Sequence, residues 1–123
     1  MAELNYVIRF KPEHLEKVLS GRKNVTVRLG LVRPRFGELL IVCNDLVYGV
    51  AEVKRLDFMR LEELTDDIAK REGFKTREDL IRELKRLYPD AENRSIVTVI
   101  EFEVKETFPR PRRLLDVIRE IRG

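Results

Sequence analysis

Gly21-Arg22-Lys23-Asn24-Val25-Thr26-Val27-Arg28 is the stretch on which the reading of this 123-residue chain turns. Val25, Val27 and Leu29 alternate with Thr26 and Arg28, so a strand here sends its apolar residues to one face and its polar ones to the other. Gly21 marks the turn before it, and Lys23 stands in that turn just ahead of the polar face. A lysine and a threonine this close can act as base and nucleophile, and arginines beside them can hold an anion. The same residues also suit an ordinary solvated strand, since Thr is a good strand former and Lys and Arg are common on exposed faces.

Upstream, Leu4, Tyr6, Ile8 and Phe10 alternate with Asn5, Val7 and Arg9, which predicts a strand over residues 4–10. Lys11-Pro12-Glu13 opens a short helix, with Leu15, Val18 and Leu19 as its buried stripe and Gly21 as its end. His14, the only histidine, falls near the start of that helix and reads as a surface or packing residue. Downstream, residues 30–37 form a loop in which Arg33 and Arg35 flank Pro34. Residues 39–43 and 46–55 predict two strands around the turn Asn44-Asp45, with Gly49 marking a bulge in the second.

Leu61 opens a helical insert. Thr65 or Asp66 can cap one helix that ends near Gly73. Thr76 to Asp79 starts another, with Leu80, Leu84 and Leu87 on its inner side, and Pro89 stops it. Residues 96–104 predict the last strand. Pro109 and Pro111 read as a stiff link to a terminal helix over residues 112–121, whose Leu114, Leu115, Val117, Ile118 and Ile121 make a packing stripe. Five or six short strands with helices between them predict an α+β fold, a small closed or half-closed β-barrel with inserted helices and a C-terminal helix. The expected organisation is one domain over residues 1–123, with residues 106–123 as a helical extension.

Charged residues make up 38% of the chain and hydrophobic ones 43%, Gln is absent, and Glu, Lys and Arg dominate the polar set. That balance is the one expected of a thermophile protein. The single cysteine, Cys43, excludes an internal disulfide and, beside the apolar residues 39–42, reads as a buried thiol. No zinc-ligand spacing is present, so neither a metal nor a cofactor is expected. Without a signal peptide or an apolar run of about 18 residues, the expectation is a cytoplasmic protein and no membrane partner.

The net charge of +3 permits nucleic-acid contact without demanding it. Arg22, Lys23, Arg28, Arg33 and Arg35 cluster in sequence, and Arg110, Arg112 and Arg113 form a second basic set. Both suit phosphate contacts, and both suit a solvated surface. Tyr6, Phe36, Tyr48 and Phe74 are the stacking candidates, most of them in core-like positions.

Leu19-Ser20-Gly21-Arg22-Lys23, followed by Thr26 and Arg28, resembles the signature of the ASCH domain family, whose fold is similar to the PUA RNA-binding barrel. Phe36-Gly37-Glu38 with the apolar residues 39–42 resembles the family's element of a glycine and an acid before a strand. Residues 69–74 with Glu72-Gly73-Phe74, residues 78–84 and Tyr88-Pro89 resemble its helical insert, and residues 97–102 its closing strand. The resemblance covers residues 6–104. It implies a PUA-like barrel with a cationic cleft for RNA or a modified nucleoside, with Arg22, Arg28, Arg33 and Arg35 as ligand-binding residues.

One branch of that family is a small bacterial amidohydrolase that deacetylates N4-acetylcytidine, and its lysine, threonine and glutamate fall by resemblance on Lys23, Thr26 and Glu72. In that alternative Thr26 attacks the acetyl carbonyl and Lys23 takes the hydroxyl proton, with Arg22 and Arg28 disfavouring its protonated form. Glu72 opposes that shift if it pairs with Lys23, or serves as acid or base toward the leaving amine. Asn24 stands where that branch has a second hydroxyl residue, and the helix after Val104 has no counterpart there. Read alone, Glu72 is a solvated glutamate at a helix end. A third reading assigns the terminal stripe to homodimerisation and leaves the cleft vestigial.

Overall fold

Along the chain the elements are β1 (Val7–Arg9), α1 (Pro12–Leu19), β2 (Val25–Leu29), β3 (Glu38–Cys43), β4 (Leu46–Arg60), a 3-10 turn (Leu61–Glu63), α2 (Asp66–Glu72), α3 (Arg77–Leu87), β5 (Ile96–Arg113) and α4 (Leu114–Arg122). The computed structural model describes residues 6–34 and 37–122, so Leu4 and Asn5 of the first predicted strand lie outside the described residues. The class is the α+β one expected. Among the described residues five strands form one sheet in the order β1-β3-β4-β5-β2.

β1 pairs parallel with β3, β3 antiparallel with β4, and β2 antiparallel with β5. Asn44 and Asp45 make the β3–β4 turn with φ of 49° and 64°, the left-handed conformation that a two-residue hairpin requires and that Asn and Asp tolerate. The bulge is real. Ile41 pairs with Gly49 and Val42 with Val47, which leaves Tyr48 as the extra residue. Glycine is required there by space: a Cβ on Gly49 would stand 2.2 Å from the backbone oxygen of Glu106.

Two strands are longer than the sequence pattern predicts. β4 continues past Arg55 to Arg60, and β5 continues past Val104 to Arg113. Pro109 and Pro111 therefore lie inside a strand, and the expected helical extension over residues 106–123 is a strand as far as Arg113, with helix only from Leu114. The two prolines are two residues apart, so their missing N–H groups fall on the same side of the strand and leave the other side free to pair.

The chain divides into two compact units interleaved in sequence: Met1–Arg22, Pro34–Val53 and Glu103–Gly123 form the first, Lys23–Arg33 and Lys54–Phe102 the second. In the first, Leu40, Val42 and Val47 pack with Leu114 and Val117 of α4, while Leu115 and Ile121 of the expected stripe stay exposed. In the second, Val25, Val27, Val97 and Val99 pack with Leu64, Ala69, Leu80 and Leu84. Burial of such side chains is worth roughly 1.5–3 kcal/mol each. Leu87, expected on the inner side of α3, is 41% exposed at that helix's last position. Thr65 and Thr76 cap α2 and α3 by accepting from the backbone N–H groups of Ile68 and Asp79.

Candidate functional site

β2 ends the sheet, and its residues divide by parity. The Asn24 carbonyl accepts from the Phe102 N–H at 3.0 Å, and the Gly30 N–H donates to the Ile96 carbonyl at 2.7 Å. Even-numbered residues of β2 therefore turn their backbone groups to β5, and the odd-numbered ones turn theirs out to the free edge. Such an edge presents unpaired donors and acceptors that something must cover.

Lys23 and Glu72 meet on that edge. The Lys23 Nζ donates to the Val25 carbonyl at 3.1 Å, to the Glu72 backbone carbonyl at 2.6 Å and to Glu72 Oε1 at 2.6 Å. An ammonium has three protons, and three oxygens receive them. The Val25 carbonyl belongs to the free edge of β2, and the Glu72 carbonyl is one of the last of α2, which has no partner within the helix. A cation at a helix C-terminus is also favoured by the helix dipole. One side chain thus closes a strand edge and a helix end together.

The end of α2 is fixed locally. Gly73 has φ of 107°, its N–H bonds to the Lys70 carbonyl, and the Phe74 N–H reaches back to the Ala69 carbonyl. This is the Schellman closure that a glycine in the left-handed region permits. Arg71 adds a 2.7 Å ion pair to Glu101 of β5, which ties the same turn of α2 to the sheet.

The site is dry. Lys23 is 2% exposed and Glu72 9%. Burial pushes the Glu72 carboxyl above its ordinary range and outweighs the opposing effects of the Lys23 ammonium, its hydrogen bond, Arg28 and the Val27 N–H. Glu72 Oε2 is buried with no hydrogen-bond partner. Thr26, 2% exposed, sits between Val25 and Val27 and opposes Ile100, and Arg28 opposes Thr98 on the same face.

The structure therefore joins Lys23 and Glu72 and brings Arg28 into the field of the carboxylate, with Thr26 on the intervening strand. Glu72 is not the solvated glutamate that its local sequence suggests, because its partner lies 49 residues away. Arg22 is exposed, paired with Glu16 at 2.6 Å and bonded to Ser20 at 3.1 Å. Arg33 is exposed, with its guanidinium 6.0 Å over the Phe58 ring. Arg35 lies outside the described residues, as does Phe36.

Two residues escaped the sequence reading. Thr98 is fully buried; its Oγ1 donates to the Gly30 carbonyl at 2.6 Å and accepts from the Val32 N–H at 2.9 Å, pinning the loop after β2. The available signal was a lone hydroxyl in the apolar run of residues 96–100. Phe58 is the other, an aromatic beyond the strand end expected at Arg55. Among the described residues no cluster of three metal-ligating side chains occurs, and no helix is long and apolar enough to cross a membrane.

A family model described as ASCH domain matches residues 7–106. Among solved structures, an ASCH protein from Zymomonas mobilis aligns at a TM-score of 0.64 and 25% identity over 94% of this chain and 77% of its own. A protein from Enterococcus faecalis V583 aligns at 0.62 and 16% identity over 77% and 71% of the two chains. An ASCH domain from Lactobacillus crispatus JV V101 aligns at 0.54 and 18% identity, covering 74% and 69%. No curated protein matches the chain.

Proposed function

The chain belongs to the ASCH domain family, and from that premise we propose that the Lys23–Glu72 pair, together with Thr26 and Arg28 of β2, binds the base of a modified nucleoside, free or carried in RNA. The observation that carries this reading is the buried Lys23–Glu72 pair with one carboxylate oxygen left unpaired. Burying an ion pair is no cheaper than packing apolar groups of the same volume, so its presence calls for a use. A nucleobase edge offers amine and amide donors that a buried carboxylate oxygen accepts, while Arg28 and the Thr26 hydroxyl offer donors in return.

A second reading, hydrolysis of the N4-acetyl amide of cytidine, is favoured by the 2.6 Å contact between Lys23 Nζ and Glu72 Oε1. Dryness lets the pair pass a proton internally, giving a neutral amine and a neutral carboxylic acid. The amine then takes the Thr26 proton as Oγ1 attacks the acetyl carbon. The C–N4 bond breaks and the Glu72 acid protonates the departing nitrogen, which leaves acetyl-Thr26, cytidine and the original ion pair. Water then releases acetate and restores the hydroxyl.

Calorimetric titration with N4-acetylcytidine, run with chromatography of the mixture, tests both. The binding reading expects a response from the wild type that Glu72→Gln weakens by a factor of about ten or more, the worth of one hydrogen bond to a charged group. Hydrolysis adds cytidine release by the wild type and none by Thr26→Ala. Neither heat nor cytidine, at protein concentrations near the nucleoside's, would refute the site.

A further inference from the structure

Met59 of β4 packs against the core cluster of the second unit, to which Val97 and Val99 of β5 belong. Its neighbour Phe58 therefore faces the opposite side of the sheet, the side of Thr98 and, through the β5–β2 pairing, of Thr26 and Arg28. There Phe58 is 44% exposed, and the Arg33 guanidinium stands 6.0 Å over its ring centroid. By the same alternation Lys54 and Arg60 share the Phe58 side of β4, as does Glu52 six residues back, whereas Asp57 and Glu101 fall on the other side. Arg60 lies 3.8 Å from Glu62 on a half-exposed surface, a distance at which the pair holds little energy.

An exposed aromatic ring under a guanidinium, on a strand side that also carries Lys54 and Arg60, has the parts of a single-strand nucleic-acid contact. The ring offers a π-face to any unstacked base, and the cations neutralise phosphate. In a duplex the bases are already stacked, so such a site selects single strands. We propose that Phe58 with Arg33 is a nucleobase-stacking position, and that the ligand of this protein is a single-stranded RNA segment whose neighbouring base stacks there. The inference rests on the reading of the Lys23–Glu72 cluster as a nucleoside site, and names the polymer that presents the nucleoside.

Fluorescence anisotropy with a labelled short oligocytidine RNA, alone and annealed to its complement, reads this directly. The wild type binds the single strand, Phe58→Ala weakens it by roughly 5- to 100-fold, and Phe58→Trp retains it. Arg33→Ala also weakens it and lowers the slope of log affinity against log salt by about 0.7. The calorimetric response to free N4-acetylcytidine is the same in both Phe58 variants. No wild-type binding, equal binding of the duplex, or a Phe58→Ala affinity within about twofold of wild type would overturn the stacking site. A nucleoside response that persists beside any of these leaves the Lys23–Glu72 reading standing. The reverse pattern, Phe58-dependent RNA binding with no nucleoside response, removes that reading and keeps this one.

Discussion

Removing Lys23 isolates the energetics of the buried pair. In Lys23→Ala, Glu72 loses the ammonium at 2.6 Å, and the Val25 and Glu72 carbonyls lose their donor. Glu72 can stay charged and unpaired, or bind a proton. The second route has a calculable cost, about 1.4 kcal/mol for each pH unit above the ordinary value of 4.5, hence about 3.4 kcal/mol at pH 7. That sum, with the space left by the lysine stem, falls in the range of about 3–5 kcal/mol found when one partner of a buried pair is deleted. The sign follows from the raised carboxyl. The folded state holds a proton more tightly than the unfolded one, so this stability is present below 4.5 and is lost as pH rises through the raised folded value. Lys23→Ala/Glu72→Gln removes the titrating group. It should therefore exceed Lys23→Ala in stability by up to about 3 kcal/mol at pH 7, with the gap closing toward pH 4.5. Urea unfolding at several pH values measures both, since urea leaves ionic interactions unscreened. A Lys23→Ala penalty below about 1 kcal/mol at pH 7, or a gap that does not change with pH, would refute the reasoning.

Two other substitutions test the frame around the site. Gly49→Ala puts a Cβ 2.2 Å from the Glu106 carbonyl oxygen and 3.2 Å from Thr107 Cα, all of it backbone, so a strand must shift. The expected loss is about 2–3 kcal/mol, read as a lower urea midpoint. Thr98→Val keeps the volume but deletes the bonds to Gly30 and Val32, which costs about 2 kcal/mol and speeds hydrogen exchange at the Val32 amide.

What the sequence made legible was whatever depends on neighbours along the chain. The alternation of Val25, Val27 and Leu29 placed β2, Asn44-Asp45 placed a hairpin turn, and Gly73 placed the end of α2. Lys23 and Thr26 stood out by spacing. Glu72 came only through family resemblance, because its burial depends on a lysine 49 residues away. Arg22 likewise has a partner that its immediate neighbours along the chain do not show, Glu16, six residues back on α1. The far ends of β4 and β5 were hidden because residues 55–60 and 105–113 have few buried side chains, and alternation shows in sequence only where one face is buried. Two prolines then read as a break, although prolines two apart can share one side of a strand.

The fold accounts for Lys23 and does not fully account for Glu72. Lysine covers a strand-edge carbonyl and a helix-end carbonyl, and a buried ammonium needs an anion, which Glu72 Oε1 supplies. One oxygen completes that arrangement. The other, Oε2, is buried without a hydrogen-bond partner, a condition that costs about 1–3 kcal/mol and that folded proteins seldom keep. The Val27 N–H and Arg28 favour its charge but do not outweigh burial. In the proposed nucleoside site that oxygen accepts an amine proton from the base. The second oxygen of Glu72, rather than Lys23, is therefore the atom on which the proposed nucleoside reading rests.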